Sequence, residues 1–190
     1  MELILFFRTE RYTELSKTET APPATGRGNK GGNHMKTIYD VPIILRREIE
    51  ALMVKPFIDA FEKELGHEKT YEIVKKVIFD IAFKEGQEYA ELFGRNDLQA
   101  IRMQMEPWSS NGALNLAWSG DGKKHLCEDV LECQYVAMYE RIGMKDLGAV
   151  LSCGRDEPFY KGMNSKIKMT RTRTLMQDGK CCDFVFDLEE

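Results

Sequence analysis

Nowhere in this chain do lysine and arginine gather into a basic block, and the formal net charge is −4. A nucleic-acid binder needs a concentrated cationic face to displace counterions, so the composition argues against that class of partner. No apolar run approaches the roughly 20 residues needed to cross a bilayer, which removes a membrane-spanning role. Histidine is scarce: His34, His67 and His125 show no ligand spacing and are left out of the chemistry. There is no Cys-x-x-Cys knuckle, no visible signal peptide and no internal repeat. Five cysteines, an odd number, then read as reduced thiols in a cytoplasm.

What remains is 43% hydrophobic and 31% charged, the balance of one soluble domain with a sizeable core. Residues 1–34 differ from the rest. Leu3 to Phe7 is a short apolar run. Behind it, Ala21-Pro-Pro-Ala24 and Gly26-Arg-Gly-Asn-Lys-Gly-Gly32 cannot bury enough apolar area to order themselves. This segment is expected to be a disordered leader or a mis-assigned start, and residues 35–190 a single domain.

Asp40-Val-Pro42 has the make-up of a helix start. Ile49, Leu52, Met53, Phe57, Ala60, Phe61 and Leu65 follow at helical spacing, with a kink expected at Pro56 and a stop at Gly66. A second helix is expected over residues 70–93, its stripe made of Val74, Val77, Ile78, Ile81, Ala82 and Tyr89. A third is expected over 98–105, capped by Asp97. The period then shortens to two. Residues 113–119 and 124–131 read as strands about Ser119-Gly-Asp-Gly122, and 133–142 and 147–159 as short helices. Residues 166–175 and 180–186 read as strands about a tight turn at Gln177-Asp-Gly179. Helices first, then strands with insertions, predict an α+β fold: N-terminal helices packed on an antiparallel sheet with inserted short helices.

The chemistry concentrates near the C-terminus, where Cys133, Cys153 and Cys182 stand beside acidic, basic or aromatic groups. A thiolate needs such neighbours if it is to form and be aimed. Cys133 falls at a strand-to-helix junction, where the positive end of the helix dipole favours a thiolate. Tyr135 and Tyr139, four apart, put two phenols on one face; a buried thiol with two core tyrosines is the bland counterpart. Cys153 has Asp156 three residues on, which a helix brings to the same face. That carboxylate can act as a base or orient water, and Arg155 can offset its charge and grip an anion. The bland counterpart is a buried thiol beside a surface Arg–Asp pair. On the final strand Cys182, Phe184 and Phe186 share one face and Asp183 the other, so a flat strand sends only one of Cys182 and Asp183 into a given pocket. Cys181 reads as a core or edge thiol, Cys127 as packing, and Trp108 and Trp118 as core. Arg171 and Arg173 share a strand face with Met169. Asn164, after Gly162, fits a turn as well as it fits a binding role.

Several of these strings carry a resemblance. The run Cys133-x-Tyr-x-x-Met-Tyr139, the pieces Leu147-Gly148 and Leu151-Ser-Cys-x-Arg-Asp156, the turn Gly162-x-Asn164, the run Arg171-Thr-x-Thr-x-Met176 and the final Cys182-Asp-Phe184 are its C-terminal part. Ile49-Glu-Ala51 to Pro56, Glu64-Leu-Gly66, and Ala113-Leu114 after Glu106-Pro-Trp108 extend it upstream. Together these resemble the L-2-amino-thiazoline-4-carboxylic acid hydrolase family over roughly residues 36–186. The family pattern has a histidine where this chain has Cys181, Phe-Asn-Pro where it has Met163-Asn-Ser165, and a basic-aromatic pair where it has Val185-Phe186.

The resemblance implies a hydrolase that opens a small cyclic amidine, 2-amino-thiazoline-4-carboxylate, to N-carbamoyl-cysteine. Under it, Cys153 or an activated water attacks, and Asp156 or Asp183 is the acid/base. Arg155 or Arg171 holds the substrate carboxylate, with Asn164 and Tyr139 as further binding residues. In a second form of the site, Cys133, Cys153 and Cys182 hold a Zn²⁺ ion with Asp156 or water in the fourth position. A reading of another class also stands: a distant likeness to the vinyl-reductase-like small-molecule-binding domains, a non-catalytic ligand sensor with a structural zinc. The expected partner is a small molecule, with no nucleic acid and no membrane, in a cytoplasmic protein able to form a homo-oligomer.

Overall fold

Pro42, its φ held at −49°, leads directly into helix α1 (Ile43–Leu65). A proline loses little there, because the first amides of a helix lack an intrahelical acceptor in any case. The computed structural model describes residues 41–189, so the segment 1–34 and Asp40 lie outside the described residues. The helix continues through Pro56, so the expected kink does not divide it. Gly66, at φ 80°, ends it, and α2 (His67–Phe93) begins at once. Among the described residues no helix is long and apolar enough to cross a membrane.

The stripe read from spacing misses the buried face of α1 altogether, while on α2 it takes in the buried Ala82 and Tyr89. On α1, Ile43, Ala51 and Ile58 are buried while Ile49, Leu52, Met53, Phe57, Phe61 and Leu65 are exposed. On α2, Thr70, Ala82, Gly86 and Tyr89 are buried while Val77 and Ile81 are exposed. Periodicity marks a face but not the direction in which it points. Here the inner faces carry small residues that let the backbones close up. A Cβ built on Gly86 would lie 2.0 Å from the carbonyl oxygen of Phe159, and one on Gly162 would lie 2.0 Å from that of Phe83. Only glycine permits this approach of α2 to α6 (Asp156–Met163).

Helix α3 (Leu98–Trp108) is capped as expected, the Asp97 carboxylate accepting the Ala100 N–H at 3.0 Å. The strands β1 (Leu114–Gly120), β2 (His125–Cys133), β3 (Ile167–Arg171) and β4 (Cys182–Leu188) form one sheet in the order β1-β2-β4-β3, with every neighbouring pair antiparallel. Helices α4 (Gln134–Arg141), α5 (Lys145–Leu151) and α6 lie between β2 and β3 in the chain. This is the α+β arrangement that the order of periodicities predicts. The core joins Leu126, Val130, Phe184 and Phe186 of the sheet to Ala82 and Tyr89 of α2, Leu98 and Ile101 of α3, and Phe159, Tyr160 and Met163 of α6.

Three local departures shape the site. The single helix expected over 147–159 is broken into α5, a 3₁₀ turn at Cys153–Arg155, and α6. Pro158 gives the reason: its ring would strike the carbonyl of Gly154 in a continuous helix, whereas in the first turn of a new one it is tolerated. The strand expected over 166–175 stops at Arg171. The carboxylate of Asp183 then gathers the N–H groups of Thr172 and Arg173 and the Thr172 hydroxyl, bending the chain out of the sheet. A 3₁₀ turn at Leu175–Gln177, capped by Thr174, replaces the tight hairpin. Finally, the β1–β2 ladder slips by one residue. Leu116 faces Val130 but Asn115 faces Glu132, leaving Leu131 as an extra residue. Such a bulge reverses the in–out alternation, so Cys133 rather than Glu132 continues the inner face of Glu128 and Val130.

Candidate active site

Residues far apart in the chain meet around a cavity of about 90 Å³ between the inner face of the sheet and the helices. Strand β2 contributes Glu128, Val130 and Cys133, β4 contributes Cys182 and Phe184, and β3 ends into it with Arg171. The 3₁₀ turn and the start of α6 bring Ser152, Cys153, Arg155, Asp156 and Tyr160. Arg47 of α1, Met105 and Trp108 of α3, Leu114, Tyr135 and Met176 complete the wall.

The break before α6 sets the central pair. Asp156 opens the new helix one 3₁₀ turn after Cys153, and in that geometry residues three apart lie nearly above one another. Its carboxylate is ion-paired with the guanidinium of Arg171, whose second nitrogen donates to the Cys153 carbonyl at 3.2 Å. Arg171 also lies over the Phe184 ring at 5.0 Å. Burial raises the Asp156 acid to about 6 even though Arg171 opposes the rise. The same burial, helped by the charge of Asp156, pushes the Cys153 thiol far above its ordinary value. Cys182, which accepts the Leu175 N–H at 3.3 Å, is pushed up to about 11, again chiefly by burial. For Cys133 the amides of Val136 and Tyr135 act as a helix end should, but burial outweighs them and the thiol is raised. The thiolate expected at that helix start is therefore not favoured.

Glu128 was absent from the sequence reading. It is 1% exposed, it lines the cavity, and its Oε1 has no hydrogen-bond partner. Burial, and then the charge of Asp156, raise it to about 8, so at neutral pH it is a carboxylic acid. An isolated buried carboxyl costs stability unless something it binds repays the loss. A signal existed: Leu126, Glu128 and Val130 alternate onto one face, and an acid between two aliphatic residues on an inward face is out of place. Arg47 and Tyr160 were also missed. Arg47 is paired with Glu50, and the Tyr160 hydroxyl, fully buried, donates to Gln104 Oε1 at 3.3 Å.

Of the residues picked from the sequence, Cys133, Cys153, Cys182, Asp156, Arg155 and Arg171 all reach the cavity. Arg155 arrives already neutralised, its Nη2 2.5 Å from Glu85 of α2. Asp183 does not reach it. As the alternation required, it lies on the opposite face from Cys182, where it holds the Thr172–Arg173 bend and is 3.2 Å from Arg173 Nε. Asn164 is a turn residue: its amide donates to the Asn96 carbonyl at 2.8 Å and its oxygen accepts the Lys166 N–H at 3.0 Å. Tyr139 is buried against α5, accepting a hydrogen bond from Ser152 at 3.3 Å, and it is Tyr135 that lines the cavity.

The three sulfurs share a wall without forming a ligand set. Among the described residues no three His, Cys, Asp or Glu side chains are grouped so as to hold a metal ion. A zinc held by Cys133, Cys153 and Cys182 would need them as thiolates around one centre; all three line the cavity, and burial favours the neutral thiol of each.

A family model described as L-2-amino-thiazoline-4-carboxylic acid hydrolase matches residues 46–186. The chain belongs to that family. The matched span includes every residue of the cavity wall, so the thiazoline-hydrolase assignment and the buried acids concern the same part of the molecule. No curated protein matches the chain at a significant level.

Proposed function

We propose that the chain opens a small cyclic amidine by adding water to it, with 2-amino-thiazoline-4-carboxylate as the type substrate and N-carbamoyl-cysteine as the product. The observation that carries this reading is the unpartnered carboxyl of Glu128 in the cavity. An amidine presents N–H donors from a planar group, the arrangement that a carboxyl group pairs with best. On binding, Glu128 passes its proton to the amidine nitrogen. The resulting amidinium–carboxylate pair draws electrons from the carbon between sulfur and the two nitrogens.

Asp156 supplies the base. Raised to about 6, it is ionised at neutral pH yet basic enough to accept a proton from water as the oxygen attacks that carbon. The tetrahedral carbon then expels sulfur. The C–S bond breaks and the C=O bond forms; the departing thiolate takes the proton held by Asp156, and the proton released by the new carbonyl oxygen returns to Glu128, restoring both groups. Water fits this charge state better than Cys153, whose thiol is held protonated by burial and by Asp156.

The substrate carboxylate needs a cation that can be released from its present partner. Arg155 and Arg171 are held in largely buried pairs, costly to break. Among the described residues Arg47 is paired with the exposed Glu50, a contact worth about 1 kcal/mol or less. Arg47 is therefore assigned the carboxylate, and Arg171 the task of keeping Asp156 ionised.

The test follows release of free thiol from 2-amino-thiazoline-4-carboxylate by Asp156→Asn and Cys153→Ala. Asp156→Asn should lose a factor of about 10² to 10⁴ in kcat, while Cys153→Ala should keep ring opening within about tenfold of wild type. Wild-type rates in Asp156→Asn would remove this site from the reaction. An inactive Cys153→Ala, together with a covalent substrate adduct on Cys153 by intact mass, would give the attack to the thiol instead of water.

A further inference from the structure

On the opposite, solvent side of the sheet, β2 and β4 assemble a second group that the ring-opening reaction does not use. His125 and Cys127 are two apart on β2 and so share that face, and His125 is paired in register with Asp187 of β4. Asp187 Oδ1 is 2.7 Å from His125 Nδ1, and His125 Nε2 is 3.2 Å from Cys127 Sγ. Carboxylate, imidazole and thiol thus form a relay in the order that activates a nucleophile: the carboxylate fixes the ring, and the ring's far nitrogen meets the sulfur. The backbone of His125 is anchored as well, since the Asp121 carboxylate accepts its N–H at 3.0 Å together with those of Lys123 and Lys124.

The surroundings limit what such a thiol can act upon. Cys127 lies between Ser119 of β1 and Val185 of β4 in the sheet, is partly exposed, and is not part of the cavity wall described above. Acyl transfer needs a cleft and donors for an oxyanion, whereas Cys127 is on the outer face of the sheet, away from the cavity. Thiol–disulfide exchange needs only an approachable thiolate and a proton carrier.

We propose that Cys127 is a modification site, activated by His125 and Asp187, that takes a low-molecular-weight disulfide of the glutathione type. His125 accepts the thiol proton, and the Cys127 sulfur attacks one sulfur of the disulfide. A mixed disulfide forms, the original S–S bond breaks, and the departing thiolate takes the proton from His125. Cys127 is oxidised and one equivalent of small thiol is released.

Cys181 is an internal control. It is on the same side of the sheet and also half-exposed, but among the described residues its hydrogen-bond neighbour is a carboxylate, Asp129 Oδ1, at 4.0 Å, with no imidazole between. The full chain is incubated with oxidised glutathione at neutral pH, and the extent of mixed disulfide at each cysteine is followed by peptide mass mapping. Cys127 should react at least about tenfold faster than Cys181. His125→Gln should bring it down to the Cys181 rate, with a smaller loss in Asp187→Asn. Equal rates at the two cysteines of the wild-type chain, or an undiminished Cys127 rate in His125→Gln, would overturn the proposal. Neither result depends on whether the chain opens thiazolines.

Discussion

Replacing Glu128 by glutamine should make the protein more stable and less active at once. The folded chain holds the Glu128 proton up to about pH 8, against 4.5 for the ordinary side chain. Between those two values the folded state binds a proton that the unfolded state has released, so stability falls with rising pH by roughly 1.4 kcal/mol per unit. By pH 7 the accumulated penalty is about 3 kcal/mol, and it stops growing above about pH 8. Glutamine has the same shape and no charge to hide. It escapes the penalty but leaves a buried amide short of partners, at a cost of about 1 kcal/mol. The net expectation at pH 7 is a gain of about 2 kcal/mol, or roughly 4–8 °C in Tm for a domain of this size. At pH 4, where both chains carry a neutral group, Glu128→Gln should be equal to wild type or slightly worse. The assay is thermal unfolding of both proteins from pH 4 to 8.5, with ring-opening rates beside it. Melting curves that stay parallel across that range would refute the reasoning, because they would mean that Glu128 is ionised or solvated like any surface acid. A variant both stabler and inactive is the mark of a residue retained for function at the expense of the fold.

The pH dependence of kcat/KM should be bell-shaped. Asp156 must be ionised to act as a base, so the rate rises through about pH 6, and Glu128 must hold its proton, so the rate falls through about pH 8. Because each acid feels the other's charge, the two limbs belong to the pair; a profile flat from pH 5 to 9 would contradict these roles. Arg47→Gln should raise KM for the carboxylate substrate by about tenfold or more with little change in kcat. The decarboxylated 2-aminothiazoline should show no such dependence on Arg47, and an equal effect on both compounds would remove Arg47 from carboxylate recognition.

Much of this architecture was legible from residue order. The switch from a helical period to alternation at Ala113 marks where the helices give way to the sheet, and Asp97 caps the helix it precedes. The thiols and the Asp156 carboxylate do converge, because their elements are strongly patterned. The misses share a cause: each depends on how elements meet. Arg171 pairs with Asp156, and Arg155 with Glu85 more than 60 residues away, so neither partner can be read from neighbours in sequence. Asp183 is beside Cys182 in the chain but across the sheet from it. Cys127 reads as packing, and His125 shows no ligand spacing and is left out of the chemistry. Their relation becomes visible only once β4 lays Asp187 against His125. Glu128 is different: an acid on the inward side of an apolar strand could have been flagged from alternation alone.

The backbone-to-backbone seam at Gly86 and Gly162 has a bearing on how this site can change. Asp156 and Arg155 stand at the beginning of one member of the seam, and Glu85 is the residue just before Gly86 in the other. The depth to which Asp156 is pushed into its pocket is thus governed by atoms that are missing. Even a single methyl group at either glycine would act as a wedge, prising the two helices apart and carrying Asp156 away from the cavity. New substrates are therefore more readily reached by altering the sheet side of the pocket than the helix side.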